Sequence, residues 1–369
     1  MGDESSFNQY YLSLSVFKII CSDGRARTGI ISHRGRRLET PAFAAVATSG
    51  FLKAIPPCAG RELGLEALIT NSIHHLIAGT VGQLGGLLHK IHGIWLFSDS
   101  GGFQIVRKGF EVRILEEGLE FPGMTITPKR SLEVQERLGV DAAFQLDYCP
   151  PYGASYGEAA RSAELTLAWA REFLSGESTV LRYAVVQGGL YRDLRYRHAR
   201  ALAKLGPDGI GIGGLAVGEP PSLTHRIARA TVQTLPEELP RHFLGLGTPL
   251  DVLEAVSYGV DTFDSAYPTR NARHGMVLSS RGYVDVSKAR ARRGEPVNPT
   301  LGPVGEIPLE ALHSLYKKDF MAAVPLLTEI NLRAMGRLMA LARKAICKGE
   351  LEELISAFRT SDPGAWEFY

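Results

Sequence analysis

Cysteines in paired spacing are missing from this sequence. Cys21, Cys58, Cys149 and Cys347 lie far apart and form no C-x-x-C, which argues against a disulfide framework and against a cysteine-rich metal site. A basic leader followed by a long apolar run is missing too. The first twenty residues, MGDESSFNQYYLSLSVFKII, open with acids, so no signal peptide and no membrane span are expected, and the expected address is cytoplasmic. Net charge is only +2, too little to imply a polyanionic partner by itself. Internal repeats and low-complexity segments are also lacking.

What is present is an ordinary globular composition. With 369 residues, 45% of them hydrophobic and 22% charged, the chain can bury a large core as one big domain or two smaller ones. Eight short apolar runs recur: PAFAAVA, ALITNS, WLFSDSG, AAFQLDY, YAVVQGG, GIGIGGL, HFLGLG and TFDSAY. Near-continuous rather than alternating apolar character suits parallel strands covered on both faces, with crossover helices between them. TPKRSLEVQERLG and YGEAARSAELTLAWAREFL read as two such helices. The expected class is α/β, a (β/α)8 TIM-type barrel, with a doubly wound open sheet as the alternative. Polar or glycine residues close the runs in turn: Asn71, Asp99, Asp147, Gln187, Gly214, Gly247 and Asp264. A barrel gathers them at one mouth, where its active site belongs, whereas an open sheet spreads them along an edge.

After Gly275 the character changes. RGYVDVSKARARRGEPVNPTLGPVGEIP reads as an irregular excursion, and LEALHSLYKKDF and LLTEINLRAMGRLMALARKAICKG read as helices. From Arg270 to Lys344 there are thirteen Lys and Arg against six Asp and Glu, either a solvated face or a phosphate-binding one. The expected organisation is a barrel over 1–275, an appended basic helical subdomain over 276–350 whose last helix packs back on the barrel, and a tail over 351–369.

Asp99, Asp147 and Asp264 at one mouth permit double displacement at an anomeric carbon, with one carboxylate as nucleophile and another moving the proton. Three carboxylates could instead hold a divalent cation. In GVDTFDSAYPTRNARHG, Asp264 is followed by Arg270 and Arg273, which either neutralise it or hold an anionic substrate over it. Gly101 and Gly102 allow a ligand to approach the backbone. Phe103 can stack under a ring, and Gln187 with a carboxylate can read the edge of a planar heterocycle. These features suggest glycosyl transfer or hydrolysis at a nucleoside.

Taken together and in order, FSDSGGFQ, TPKRSLEVQERLG, VVQGGLYRDLR, GIGGLAVGE and DTFDSAYPTRNARHG resemble the tRNA-guanine transglycosylase family. The resemblance runs from about Ala42 to Gly275 and continues loosely through NLRAMGRLMALARKAI. It implies that Asp264 is the nucleophile that displaces guanine from a tRNA ribose and forms a covalent ester. Asp99 is then the general acid/base that deprotonates the incoming 7-deazaguanine. Asp147, Gln187 and Gly214 match base-recognition positions, with Ser100 and Leu215 nearby and Phe103 and Leu244 as stacking plates. Arg270 and Arg273 match arginines that hold the anticodon-loop backbone, and Asn71 either touches ribose or caps its own loop. Val217, Cys149 and Glu219 resemble the wall of bacterial enzymes that insert 7-aminomethyl-7-deazaguanine, rather than queuine, at the wobble position of tRNAs with a GUN anticodon. A homodimer or a related partner subunit is further implied, with no organic cofactor.

One departure stands out. The family holds a structural zinc through C-x-C-x-x-C and a later histidine, yet Pro299, Leu301, Val304 and Ile330 stand at those places here. None is a zinc ligand. The zinc is therefore expected to be absent and its place taken by apolar packing. Three readings follow: an active zinc-free transglycosylase, a noncatalytic or partner-dependent tRNA-binding subunit, or an enzyme that inserts deazaguanine into another nucleic acid.

Overall fold

Apolar runs closed by a turn and followed by a capped helix set the rhythm of the chain. The computed structural model describes residues 15–56, 60–101, 112–288 and 294–367. Three antiparallel strands come first, β1 (Phe17–Asp23), β2 (Ala26–His33) and β3 (Arg36–Thr40). Strands β4 (Ala42–Val46) and β5 (Ala67–Asn71) lead into three short helices, α1 (Ser72–Ile77), α2 (Val81–Leu84) and α3 (Leu87–His92), and then into β6 (Trp95–Asp99). A small antiparallel sheet of β7 (Arg113–Leu115), β8 (Gly118–Phe121) and β9 (Met124–Ile126) is inserted next.

From there strands and helices alternate: α4 (Pro128–Leu138), β10 (Ala142–Phe144), α5 (Tyr156–Phe173), β11 (Leu181–Val186), α6 (Arg192–Ala203), β12 (Gly209–Ile212). The series continues with α7 (Pro221–Val232), β13 (Arg241–Leu244), α8 (Pro249–Ser257), β14 (Thr262–Ser265) and α9 (Tyr267–Arg273). Side chains just before several helices explain where they start. Thr127 and Thr248 accept the Arg130 and Asp251 backbone N–H groups ahead of a first-turn proline, and Ser155 forms a reciprocal capping box with Glu158. Such caps satisfy backbone donors that a helix leaves open.

Eight parallel strands close the barrel in the order β4-β5-β6-β10-β11-β12-β13-β14. Each of the eight apolar runs read from the sequence overlaps one of them, and the sheet closes, so the barrel, rather than the open sheet, is the fold. Its interior is filled by Phe97, Phe144, Tyr183 and Val185 against the small side chains of Ala42, Ala44 and Ala67. Phe17, Ile31 and Leu38 of the N-terminal sheet belong to the same cluster. That sheet also sends Arg27 to Asp261, just before β14, in a bidentate pair with N–O distances of 2.8 and 2.7 Å.

Beyond the barrel lie a hairpin, β15 (Met276–Ser279) and β16 (Gly282–Asp285), and three helices, α10 (Leu309–Lys318), α11 (Phe320–Lys348) and α12 (Leu351–Arg359). Helix α11 rests on β1, β2, β4 and α9. Its Leu327, Ile330, Ala334 and Leu338 share one apolar cluster with Val252 and Val256 of α8, so the C-terminal segment has no core separate from the barrel's. Residues read as a tail include α12, whose Leu351, Leu354 and Ile355 are buried.

Two features run against the sequence reading. Cys21 and Cys347 form a disulfide across 326 residues, joining β1 to the end of α11. No spacing rule signals a pair that only the docking of α11 brings together. The arginines of α11 are also largely engaged within the chain. Arg343 pairs with Glu66, Arg333 with Glu329 and the Glu62 carbonyl, and Arg337 with the Trp366 carbonyl. No helix among the described residues is long and apolar enough to cross a membrane.

Candidate active site

At the carboxyl ends of the strands lies a cavity of about 570 Å³. Asp99, Asp147 and Asp264 reach it from β6, the loop after β10 and β14, together with Gly214, Leu215, Leu244 and Arg270. These seven of the sequence-chosen residues therefore meet at one place. Gln187 stands behind them and donates from Nε2 to Asp147 Oδ2 at 2.6 Å. Its Oε1 is buried without a partner among the described residues. Phe103 lies outside the described residues.

Three other choices sit apart from the cavity wall. Ser100 is buried, and its hydroxyl has no partner among the described residues. Asn71 is buried as the cap of α1, its Oδ1 accepting the His74 backbone N–H at 3.0 Å. Arg273 donates to the Thr269 carbonyl of its own helix at 3.0 Å. Arg270 is the exposed one of the arginine pair, with its guanidinium 5.8 Å from the centre of the Tyr267 ring.

Two glycines at the strand ends leave no space for a side chain. Gly214 has φ +66°, and a Cβ there would stand 2.3 Å from Gln187 Oε1. Gly101, at φ +78°, would place a Cβ 2.2 Å from Asn71 Oδ1. Any side chain at either position would displace a polar group that shapes the mouth. Behind this edge the buried Arg195 donates to the Gly189 and Gly213 carbonyls at 3.3 and 3.0 Å, which ties the loops after β11 and β12 together. Glu219 acts similarly on the next turn. Its carboxylate accepts from the Ala216 and Val217 N–H groups at 2.6 and 3.0 Å and from the Thr224 hydroxyl. Its carboxylate is thus spent on holding its own turn.

Two of the carboxylates are shifted by burial. Burial pushes Asp99 up to about 7, the charges of Asp264 and Asp147 adding to the shift while the Gly101 N–H opposes it. Burial pushes Asp147 up to about 6 against the Gln187 hydrogen bond. A carboxyl that titrates near neutrality suits proton transfer in both directions. Cys149 is pushed well above its ordinary value, first by burial and then by Asp147, and is a wall thiol rather than a nucleophile. Asp264 has another environment. Its Oδ1 accepts from His242 Nε2 at 3.1 Å and from the Gly245 N–H at 3.2 Å, and Oδ2 has no partner among the described residues.

A stability consequence follows for Asp99. Its folded pKa lies above the ordinary carboxylate value, so the folded state holds the extra proton and stability falls as pH rises between roughly 4 and 7. Asp99→Asn keeps the Gly101 hydrogen bond and removes the charge. It is expected to raise the thermal midpoint at pH 8, with the gain vanishing near pH 4. Thermal unfolding of both proteins across that range checks this, and a variant less stable at pH 8 contradicts it.

Among the described residues, His225, Asp251 and Glu254 bring ligand atoms within 4.8 Å of one another, whereas Asp99, Asp147 and Asp264 form no such group. The cation reading of the three aspartates therefore lacks its geometry. Several contributors escaped the sequence reading. Val46, Thr48 and Tyr267 line the cavity, and Thr48, the polar residue just beyond the PAFAAVA run, was the available signal. His242, a histidine inside the apolar HFLGLG run, was another.

A closed parallel barrel with a carboxylate-lined cavity at the carboxyl ends of its strands has the (β/α)8 architecture, and the cavity lies on the face where such barrels carry their active sites. A family model described as Queuine tRNA-ribosyltransferase matches residues 21–363. A Pseudomonas putida protein named Queuine tRNA-ribosyltransferase is 36% identical over 362 residues, covering 93% of this chain and 96% of the relative. One from Sorangium cellulosum is 35% identical over 366 residues, covering 94% and 92%. Another, from Francisella tularensis subsp. novicida, is 34% identical over 363 residues, covering 94% and 99%. The chain belongs to this family of pentosyltransferases.

The zinc site implied by the family does not fit the residues present. Leu301 and Ile330 are buried in the largest apolar cluster, and Val304 packs against it. Nearby alternatives are committed elsewhere: His313 Nδ1 lies 2.6 Å from the Val286 carbonyl, and Cys347 is in the disulfide. Asn331, next to Ile330, anchors the segment that follows Asp264. Its Nδ2 donates to the Pro268 and Met276 carbonyls, each at 3.0 Å, and its Oδ1 accepts from the Leu278 N–H at 2.7 Å.

Proposed function

We propose that this chain exchanges guanine at the wobble position of tRNAs with a GUN anticodon for a 7-deazaguanine, in queuosine modification. The observation that carries the proposal is the meeting, in one cavity, of Asp264 with an open Oδ2, Asp99 titrating near neutrality, and Asp147, which Gln187 holds from behind. Asp264 attacks C1′ of the target ribose as the C1′–N9 bond breaks, and Asp99 gives its proton to the departing guanine. Asp99, now charged, takes a proton from N9 of the incoming base. That nitrogen attacks C1′ and releases Asp264, so the exchange balances without a redox or energy-supplying partner.

The base must leave the anticodon stack to reach C1′ and the cavity together, and the amide–carboxylate edge then reads it. Arg270, exposed at the rim, holds the loop backbone, with Arg273 on the same helix. Leu244 forms a plate under the base. Val217 and Cys149 narrow the wall, which favours 7-aminomethyl-7-deazaguanine over the bulkier queuine.

Activity without zinc is part of the proposal. Leu301, Val304 and Ile330 fill the ligand positions with apolar contacts, and Asn331 still ties α11 to the arginine-bearing segment. The rival is a noncatalytic or partner-dependent subunit, which the altered metal site alone favours.

Trapping distinguishes the two. Incubation with unmodified tRNA and a guanine analogue carrying carbon in place of N9, which cannot accept the ribose, is expected to leave a protein–RNA adduct stable in denaturing gels. The adduct should vanish when 7-aminomethyl-7-deazaguanine is added. A folded protein that binds the tRNA but forms no adduct supports the rival.

A further inference from the structure

We infer that His242 is a positioning residue that selects which oxygen of Asp264 attacks. The inference rests on the reading of Asp264 as nucleophile and concerns how that nucleophile is aimed.

His242 is fully buried, at 0% exposure, in the middle of β13. A histidine inside a barrel strand is costly unless both ring nitrogens are satisfied. Here both are. Nε2 lies 3.1 Å from Asp264 Oδ1 and Nδ1 lies 2.9 Å from Thr262 Oγ1. Strand register supplies the geometry: His242 lies opposite Thr262 and Leu244 opposite Asp264, so His242 reaches both β14 residues on its side of the pleat. Phe97 and Phe144 hold the ring from beneath, with centroids 5.2 and 4.7 Å away. Two hydrogen bonds and two ring contacts fix the orientation of the imidazole.

The hydrogen-bond directions follow from chemistry. A carboxylate only accepts, so Nε2 carries the hydrogen, and in the neutral ring Nδ1 accepts the Thr262 hydroxyl hydrogen. The Gly245 N–H adds a second donor to the same oxygen at 3.2 Å. Oδ1 is thus held twice, while Oδ2 is left without a partner among the described residues. Oδ2 is the oxygen that bonds to C1′. Oδ1 becomes the ester carbonyl and recovers negative charge when the incoming base breaks the ester. Donors fixed before the reaction aid both halves without reorganising.

The test compares kcat and KM for tRNA in guanine exchange by the full chain. His242→Phe removes the donor, whereas His242→Gln can return an N–H near the Nε2 position. His242→Asn keeps a polar group near Thr262 but cannot reach Asp264, and it replaces the Phe variant if that one fails to fold. Loss of the donor is expected to lower kcat by about 10–100-fold with KM for tRNA within about twofold, and Gln to recover most of that loss. A Phe or Asn variant with the wild-type kcat overturns the inference, as does a folded Gln variant no better than they are. Asp264→Asn is assayed in parallel. Retained exchange there refutes the nucleophile itself, whereas abolished exchange together with an indifferent His242 refutes the positioning role alone.

Discussion

Truncation of Asp261 to alanine is expected to cost about 3–5 kcal/mol of folding stability, read as a lower urea midpoint with an unchanged slope. Asp261 is at 0% exposure and receives both Arg27 bonds and the Arg241 N–H at 2.7 Å. Removing the carboxylate leaves a buried guanidinium without its counter-charge and a buried backbone donor without its acceptor. Both penalties fall on the folded state. Arg27 reaches this site from β2, so the variant also loosens the link between the N-terminal sheet and the barrel. A folding stability within about 0.5 kcal/mol of wild type contradicts this account, because that is the range for changes away from buried networks.

Asp264→Asn, only three residues along the chain, is expected to behave in the opposite way. Folding stability should stay close to wild type, since an amide oxygen can still accept from His242 and Gly245. Guanine exchange should fall by about 10³-fold or more, because the neutral amide is a poor nucleophile toward C1′. The contrast follows from barrel architecture. Asp261 precedes β14 and Asp264 lies near its carboxyl end, and the two ends of a barrel strand serve stability and chemistry respectively. An Asp264→Asn enzyme within about tenfold of wild type removes the covalent mechanism.

Much of this was legible in the sequence because the signals are local. Eight apolar runs marked the barrel strands, and the residues closing them marked its mouth. Asp99, Asp147, Gly214 and Asp264 were visible as polar or glycine interruptions at the ends of buried strands. Contacts between distant segments were not visible in the same way. Cys21 meets Cys347 only after α11 docks on β1, and Arg27 meets Asp261 only after the N-terminal sheet packs against the barrel. His242 was hidden differently: its run reads as a buried strand, and only register with β14 brings its ring to Asp264. Asn71 shows the converse difficulty. The sequence allowed a ribose contact or a cap, and three-dimensional packing places its oxygen on the His74 N–H.

The altered metal positions belong to the same lesson. Four residues without donor side chains read as a lost zinc site, but their fate depends on neighbours that the sequence does not order. In the fold Leu301, Val304 and Ile330 join one apolar cluster with α8, and burial of that kind stabilises a docked helix without a metal. The proposal of zinc-free activity therefore stands on packing.

Incorporation of radiolabelled guanine into unmodified tRNA with a GUN anticodon, in chelator-treated buffer, tests the central claim most directly. Wild type and Asp264→Asn are measured side by side. The account predicts label in the tRNA with wild type and none with the variant. Equal label with both proteins, or none with a folded wild type that binds the tRNA, would contradict it.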